Sequence, residues 1–164
     1  MPIAPMPSPT PTPDGGETPE TAARRAAMAL CSTATREELQ AALDGLGPLG
    51  PVEELRPTET GLVMARGRIG GDGRSFNLGE MTVTRAAIRL PAGEAGFAYH
   101  LGRDRAKARL AAILDALWQR PDHREAVEAA LAPLATRRAA EAEAEARRIA
   151  ATRVNFFTMA RGED

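Results

Sequence analysis

Gly61-Leu62-Val63-Met64-Ala65-Arg66-Gly67-Arg68-Ile69, then Gly70-Gly71-Asp72-Gly73, then Phe76-Asn77-Leu78-Gly79-Glu80-Met81-Thr82-Val83-Thr84: this stretch decides the fold. In its first part Leu62 and Met64 share one face, which Arg66 and Arg68 continue, while Val63, Ala65 and Gly67 lie on the other. Period-two alternation of this kind is what a strand needs, because successive side chains point to opposite faces. The glycine cluster supplies the permissive backbone of a reversal. In the second part Met81 and Val83 alternate with Thr82 and Thr84, as in a half-buried antiparallel strand. An interruption is expected near Gly79, and the strand region continues to Leu90.

Working outward, Val52–Arg56 reads as a short additional strand, Pro91–Glu94 as a turn and Gly96–Leu101 as the last strand. Upstream, Met28, Leu30, Leu39, Ala42, Leu43 and Leu46 recur at helical spacing, with a break around Ser32–Thr35. Thr35 followed by Glu38 is a capping-box pattern, and Gly45, Gly47 and Pro48 end that helix. Downstream, Asp104 is placed to cap a helix whose Leu110, Ile113, Leu114 and Leu117 form one apolar stripe. Pro121-Asp122 opens a short helix that is expected to end before Pro133, and a last helix runs from about Leu134 to Thr152. Its middle is alanine interleaved with charge, which favours helix but offers little to bury. The fold expected is α+β: an antiparallel sheet of three to four strands packed with helices, extended by a C-terminal helix and an aromatic tail.

Three segments follow. Residues 1–20 read as a disordered leader, since residues 1–19 hold seven prolines and almost no large apolar side chain. Residues 21–133 form the α+β domain, and residues 134–164 form a helical arm with a tail. That tail carries Arg153, Phe156, Phe157, Met159 and Arg161 beyond a polar helix. The aromatics either fold back onto the domain's own sheet or dock into another subunit.

Composition closes several routes to function. The single cysteine, Cys31, excludes an internal disulfide and reads as a small buried hydrophobe, and with only His100 and His123 there is no zinc-ligand cluster. The start lacks the basic residues and apolar run of a signal peptide, and no uncharged apolar stretch of about 18 residues occurs, so a cytoplasmic protein is expected. Glycines 70, 71 and 73 lie between two strands rather than between strand and helix, so they read as a turn and not as a phosphate cradle. His123, beside Asp122 and Arg124, reads as a surface residue. His100 ends a strand ahead of Gly102-Arg103-Asp104 and is a candidate acid/base. Glu59 and Glu80 are candidate carboxylates, and with His100 they define the alternative of a free-standing acid/base enzyme.

Charge is unevenly placed. Residues 1–60 hold 4 basic and 9 acidic side chains, whereas residues 61–110 hold 9 basic and 4 acidic, all but Lys107 of the nine being arginine. Arginine suits bidentate contact with carboxylate or phosphate. The segment is therefore either a salt-bridged sheet face or a surface for an anion or an acidic partner. Outside it the balance is acidic, aromatic residues are few, and nucleic-acid binding is a weak alternative.

At Glu59-Thr60-Gly61-Leu62-Val63-Met64, with Arg66 and Arg68, the sequence resembles the G subunit family of the bacterial carbon–phosphorus lyase core complex. The likeness continues through Phe76-Asn77-Leu78-Gly79-Glu80, Met81-Thr82-Val83-Thr84-Arg85, Gly102-Arg103-Asp104, Asp115-Ala116-Leu117 and Phe156-Phe157-Thr158-Met159. Two positions depart from the family pattern. Arg25-Ala26-Ala27-Met28 stands where an Arg-Trp-Met stretch is usual, and Asn155 stands where aspartate is common. The resemblance implies a non-catalytic or accessory subunit that assembles with the H, I, J and K subunits, the I subunit being the direct neighbour. It implies support for transfer of a ribose 5-triphosphate moiety from ATP to an organic phosphonate, with release of adenine. No cofactor is then bound by this chain. ATP is a substrate of the complex, and an iron–sulfur cluster and S-adenosylmethionine belong to the J subunit. Substrate or partner contacts are expected from Glu59, Arg66, Arg68, Glu80, Arg85, His100, Arg103 and Asp104, and docking from the C-terminal tail.

Overall fold

A computed structural model describes residues 18–69 and 73–152. The expected leader up to residue 17, the glycine turn at residues 70–72 and the aromatic tail with Arg153, Phe156, Phe157, Met159 and Arg161 lie outside the described residues.

Two capped helices open the fold. Thr18 accepts from the amide of Thr21 and Pro19 fills the first position of α1 (Pro19–Thr33), where a missing N–H costs nothing. The capping box is complete at α2 (Arg36–Asp44): the Thr35 hydroxyl accepts from Glu38 N, and the Glu38 carboxylate accepts from Thr35 N. The chain then runs into β1 (Glu53–Arg68), β2 (Ser75–Arg89) and β3 (Ala95–Leu101), an antiparallel meander in the order β1-β2-β3. The two expected strands at Val52–Arg56 and Gly61–Ile69 are one strand, β1. Pro57 is accommodated because β1 is an edge strand and its register shifts between Arg56 and Glu59. The expected interruption at Gly79 is a bulge, with φ +152° at Gly79 and a register shift opposite Ala65 and Arg66.

Asp104 caps α3 (Arg105–Trp118) by accepting from Lys107 N, and α3 lies along β2 and β3. Its sheet-facing residues are small: Ala108, Ala111, Ala112 and Ala116 are buried. Gly96 on β3 completes this close approach, since a Cβ there would lie 1.9 Å from the carbonyl oxygen of Ala112. Ile88 and Leu90 from the sheet meet Leu114, Leu117 and Trp118 from α3, Leu39 and Leu43 from α2, and Val127 and Leu131 from the last helix. Trp118 is 1% exposed and donates its indole N–H to Glu128, with the Arg124 guanidinium 4.3 Å above the ring.

The last helix, α4 (Pro121–Ala151), passes through Pro133 without a break. An interior proline costs about 3 kcal/mol. Val127, Leu131 and Leu134 are buried on either side of it, each contributing about 1.5–3 kcal/mol, so packing outweighs the local penalty. Beyond Arg138, whose guanidinium reaches the carbonyl of Ala29, residues 139–152 are exposed and held by pairs within the helix, Glu143 with Arg147 and Glu145 with Arg148.

Candidate functional site

Register decides which side chains meet. Thr84 pairs with His100 and Thr60, Ala86 with Ala98 and Ile88 with Gly96, and these residues are buried beneath the helices or form the polar end of that layer. The neighbours one step along each strand must face the other way. Arg85 pairs with Glu59 and Tyr99, and Ala87 with Phe97, on a face that no helix covers.

On this open face the Arg85 guanidinium donates from Nε to Glu59 Oε1 at 2.8 Å, and its Nη2 lies 2.7 Å from the same oxygen. Arg56 approaches that carboxylate at 3.9 Å. Tyr99 and Glu59 together hold the Arg85 pKa above its ordinary value. Leu55, Phe97 and Tyr99 wall a hollow of about 430 Å³ over Arg85 and Ala87. Phe97 and Tyr99 are 55% and 58% exposed, an unusual amount for aromatics on a regular strand. The sequence carries a signal for them: Gly96 and Ala98 alternate with Phe97, Tyr99 and Leu101, so the small residues face α3 and the large ones face outward.

The remaining expected residues are dispersed. His100 is 5% exposed under the helices, beside Thr84, whose hydroxyl bonds to Gly102 O at 2.8 Å and to Thr60 Oγ1 at 3.1 Å. Burial pushes the His100 pKa down, and the nearby Lys107 ammonium pushes it the same way. Its Nδ1 has no hydrogen-bond partner among the described residues. Asp104 is engaged at the cap of α3, and Arg103 is exposed in the turn before it. Glu80, Arg66 and Arg68 lie far out on the β1–β2 hairpin, on the face shared with Leu62 and Met64. Glu59 and His100 therefore stand on opposite faces of the sheet, and the geometry gives the acid/base trio Glu59, Glu80 and His100 no common substrate position. Among the described residues no three His, Cys, Asp or Glu side chains are grouped so as to hold a metal ion.

Asp115 is a site of another kind. Its carboxylate is almost wholly buried, accepts from Arg24 Nε and Nη2 at 2.7 Å each, and accepts from the backbone N–H of Phe97 at 2.8 Å. It ties α1, α3 and the outer edge of β3 together directly behind the exposed aromatics. A larger hollow of about 780 Å³ lies between α2 and α4, walled by Ala41, Ala126, Ala130 and Pro133 with the Glu38–Arg137 pair at its rim. Its one carboxylate, Glu38, is taken up by the capping box and by Arg137.

Comparison with known proteins adds what geometry alone does not. Residues 22–162 match the family described as "Phosphonate metabolism protein PhnG". The chain belongs to this family. It is also 53% identical over 143 residues to the alpha-D-ribose 1-methylphosphonate 5-triphosphate synthase subunit PhnG of Rhizobium meliloti (strain 1021), covering 87% of this chain and 92% of that protein. The PhnG match thus takes in the whole sheet, α2, α3, α4, α1 from residue 22 onward, and the residues of the open face. No helix among the described residues is long and apolar enough to cross a membrane.

Proposed function

We propose that this chain is an accessory subunit in phosphonate catabolism, a part of the carbon–phosphorus lyase core complex without a catalytic centre of its own. In that role it supports transfer of a ribose 5-triphosphate moiety from ATP to an organic phosphonate, with release of adenine, in the cytoplasm. The observation that carries the proposal is the PhnG family match over residues 22–162. The separation of Glu59 from His100 supports it, because the candidate acid/base groups do not converge. The direct neighbour is the I subunit, within an assembly that also holds the H, J and K subunits. ATP is the complex's substrate, and the iron–sulfur cluster and S-adenosylmethionine reside on the J subunit. Arg153, Phe156, Phe157, Met159 and Arg161 form a docking tail. Arg66, Arg68, Arg85 and Arg103 are the residues through which substrate anions or an acidic partner are met.

Co-purification of the tagged full chain with its neighbours, compared with a chain ending after Thr152, tests this reading. Retention of partners by the full chain and their loss on truncation is the expected result. Activity of the purified chain alone would overturn it. Substitution of Arg85 or Arg103 in the assembled complex then separates substrate contact, read as lost turnover, from partner contact, read as lost assembly.

A further inference from the structure

The β1–β2 hairpin is longer than anything that supports it. β3 ends at Leu101, opposite Val83, and the last bond joining it to β2 runs from Gly102 N to Thr82 O. Among the described residues, the ribbon from Gly61 to Ile69 on one side and from Gly73 to Met81 on the other has two strands only. At about 3.3 Å per residue, this arm reaches about 26 Å beyond the sheet. A two-stranded ribbon with no third strand or helix against it is marginal in water.

Both faces of the arm are apolar. Leu62 and Met64 stand on one, 61% and 50% exposed, while Val63, Phe76, Leu78 and Met81 stand on the other or at its bulge, 37–63% exposed. Continuing from Met64 toward the tip, the first face changes to Arg66 and Arg68, opposite Asn77 and Ser75, and Arg74 stands just ahead of β2. Arginines nearer the body are matched: Arg85 with Glu59, Arg89 with Glu53, Arg109 with Glu54. Among the described residues Arg66, Arg68 and Arg74 meet no carboxylate, and Arg66 bonds only to the Ser75 hydroxyl at 3.3 Å.

We infer that this arm is a docking element for another protein of the complex, whose surface carries an apolar strip against Leu62 and Met64 and carboxylates about 7 Å farther out, against Arg66 and Arg68. A second copy of this chain is disfavoured as the occupant, because two arms set against each other would bring six arginines against only four acids, Asp72 and Glu80 of each. The inference rests on the subunit reading and names the surface that reading leaves open.

The test uses the full chain co-expressed with the other core subunits, comparing wild type with two double variants, Leu62→Asp/Met64→Asp and Arg66→Glu/Arg68→Glu. The four side chains are exposed and outside the core cluster, so circular dichroism and the melting temperature of each variant should match wild type. Retention of partner subunits should fall by at least about tenfold in the first variant, which places charge inside the apolar contact, and should also fall in the second. Undiminished retention by both variants overturns the arm as a docking element while leaving the subunit reading intact. Undiminished retention by the arginine variant alone removes the acidic part of the partner surface. A wild type that retains no partner fails the subunit reading first, and the inference with it. A dimer of the isolated wild type, dissociated by Leu62→Asp/Met64→Asp, assigns the arm to a second copy and overturns the choice of partner.

Discussion

Asp115→Ala should be among the most damaging single changes in this chain, although Asp115 lies on no surface. The carboxylate takes three charge-assisted hydrogen bonds, two from Arg24 and one from the Phe97 amide. Removing one partner of a buried ion pair costs about 3–5 kcal/mol, but the Arg24 side chain is 36% exposed and its guanidinium can rehydrate. Its share therefore falls to about 1 kcal/mol. The Phe97 N–H loses its acceptor in a part-buried position, which costs about 1–3 kcal/mol. The expected loss is about 3 kcal/mol, or about 6–12 °C in Tm for a chain of this length. Urea unfolding of the purified full chain, followed through Trp118 fluorescence, measures it. Arg24→Ala and the double variant complete a cycle. Because Arg24→Ala leaves a buried carboxylate with only the Phe97 amide, the double variant should be less destabilised than the sum of the singles. A loss under about 1 kcal/mol for Asp115→Ala, or additivity within about 0.5 kcal/mol, would refute the reasoning.

Three further outcomes are expected. Pro133→Ala should stabilise the chain by about 1–3 kcal/mol, since the helix continues through that position and alanine restores both the amide and the propensity; a loss of stability would mean that the proline is needed where it stands. Cys31 is buried and its pKa is pushed up to about 12 by desolvation, so a thiol reagent at pH 8 should label it only as fast as the chain opens; labelling at the rate of a free thiol would contradict this. His100 is held below its usual 6.5, so the folded state binds fewer protons than the unfolded state just below that pH. Its contribution is then fully present above pH 6.5 and is lost as the pH falls through the depressed value, and His100→Asn should flatten the stability profile below pH 6.5; an unchanged slope would remove His100 as the cause.

Local chemistry was the legible part of the fold. The Thr35–Glu38 capping box, the Asp104 cap and the Leu110, Ile113, Leu114, Leu117 stripe were each readable because every group involved lies within one or two helical turns. Strand alternation placed Leu62 and Met64 opposite Val63 correctly for the same reason. Pro133 misled, since it carries a local penalty that core burial outweighs, and the separate strand expected at Val52–Arg56 is part of β1, which accommodates Pro57 at the sheet edge. The site was harder to read because it depends on register. Glu59 and Arg85 are separated by 26 positions and meet, whereas His100, on the strand next to Arg85, points through the sheet away from both. A shift of one residue would have reversed that outcome, and nothing in the residue types alone fixes it. Asp115 was visible as part of a family motif, but its partners Arg24 and Phe97 come from α1 and β3, 91 and 18 positions earlier in the chain.

The distribution of arginine shows how one sequence feature divides into two structural roles. Residues 1–60 are acidic and residues 61–110 are basic, and the hairpin folds the second onto the first. Glu53, Glu54 and Glu59 all lie in the first seven residues of β1, so antiparallel pairing brings only Arg85 and Arg89, at the far end of β2, against Glu59 and Glu53, and leaves Glu54 to Arg109 on α3. From Thr60 to Arg68 β1 offers no acid, and the hairpin beyond Thr60 sets only Asp72 and Glu80 against Arg66, Arg68 and Arg74. A salt-bridged sheet therefore describes the body, where Arg56, Arg85 and Arg89 each meet a carboxylate of β1. The unmatched positive charge is concentrated on the arm, next to apolar side chains that nothing in this chain's described residues covers. Exposed pairs of this kind contribute little to stability. Placing three acids within seven residues on the body, while Asp72 and Glu80 leave the three arginines of the arm in excess, is an arrangement that folding alone does not require and that an acidic neighbour would explain.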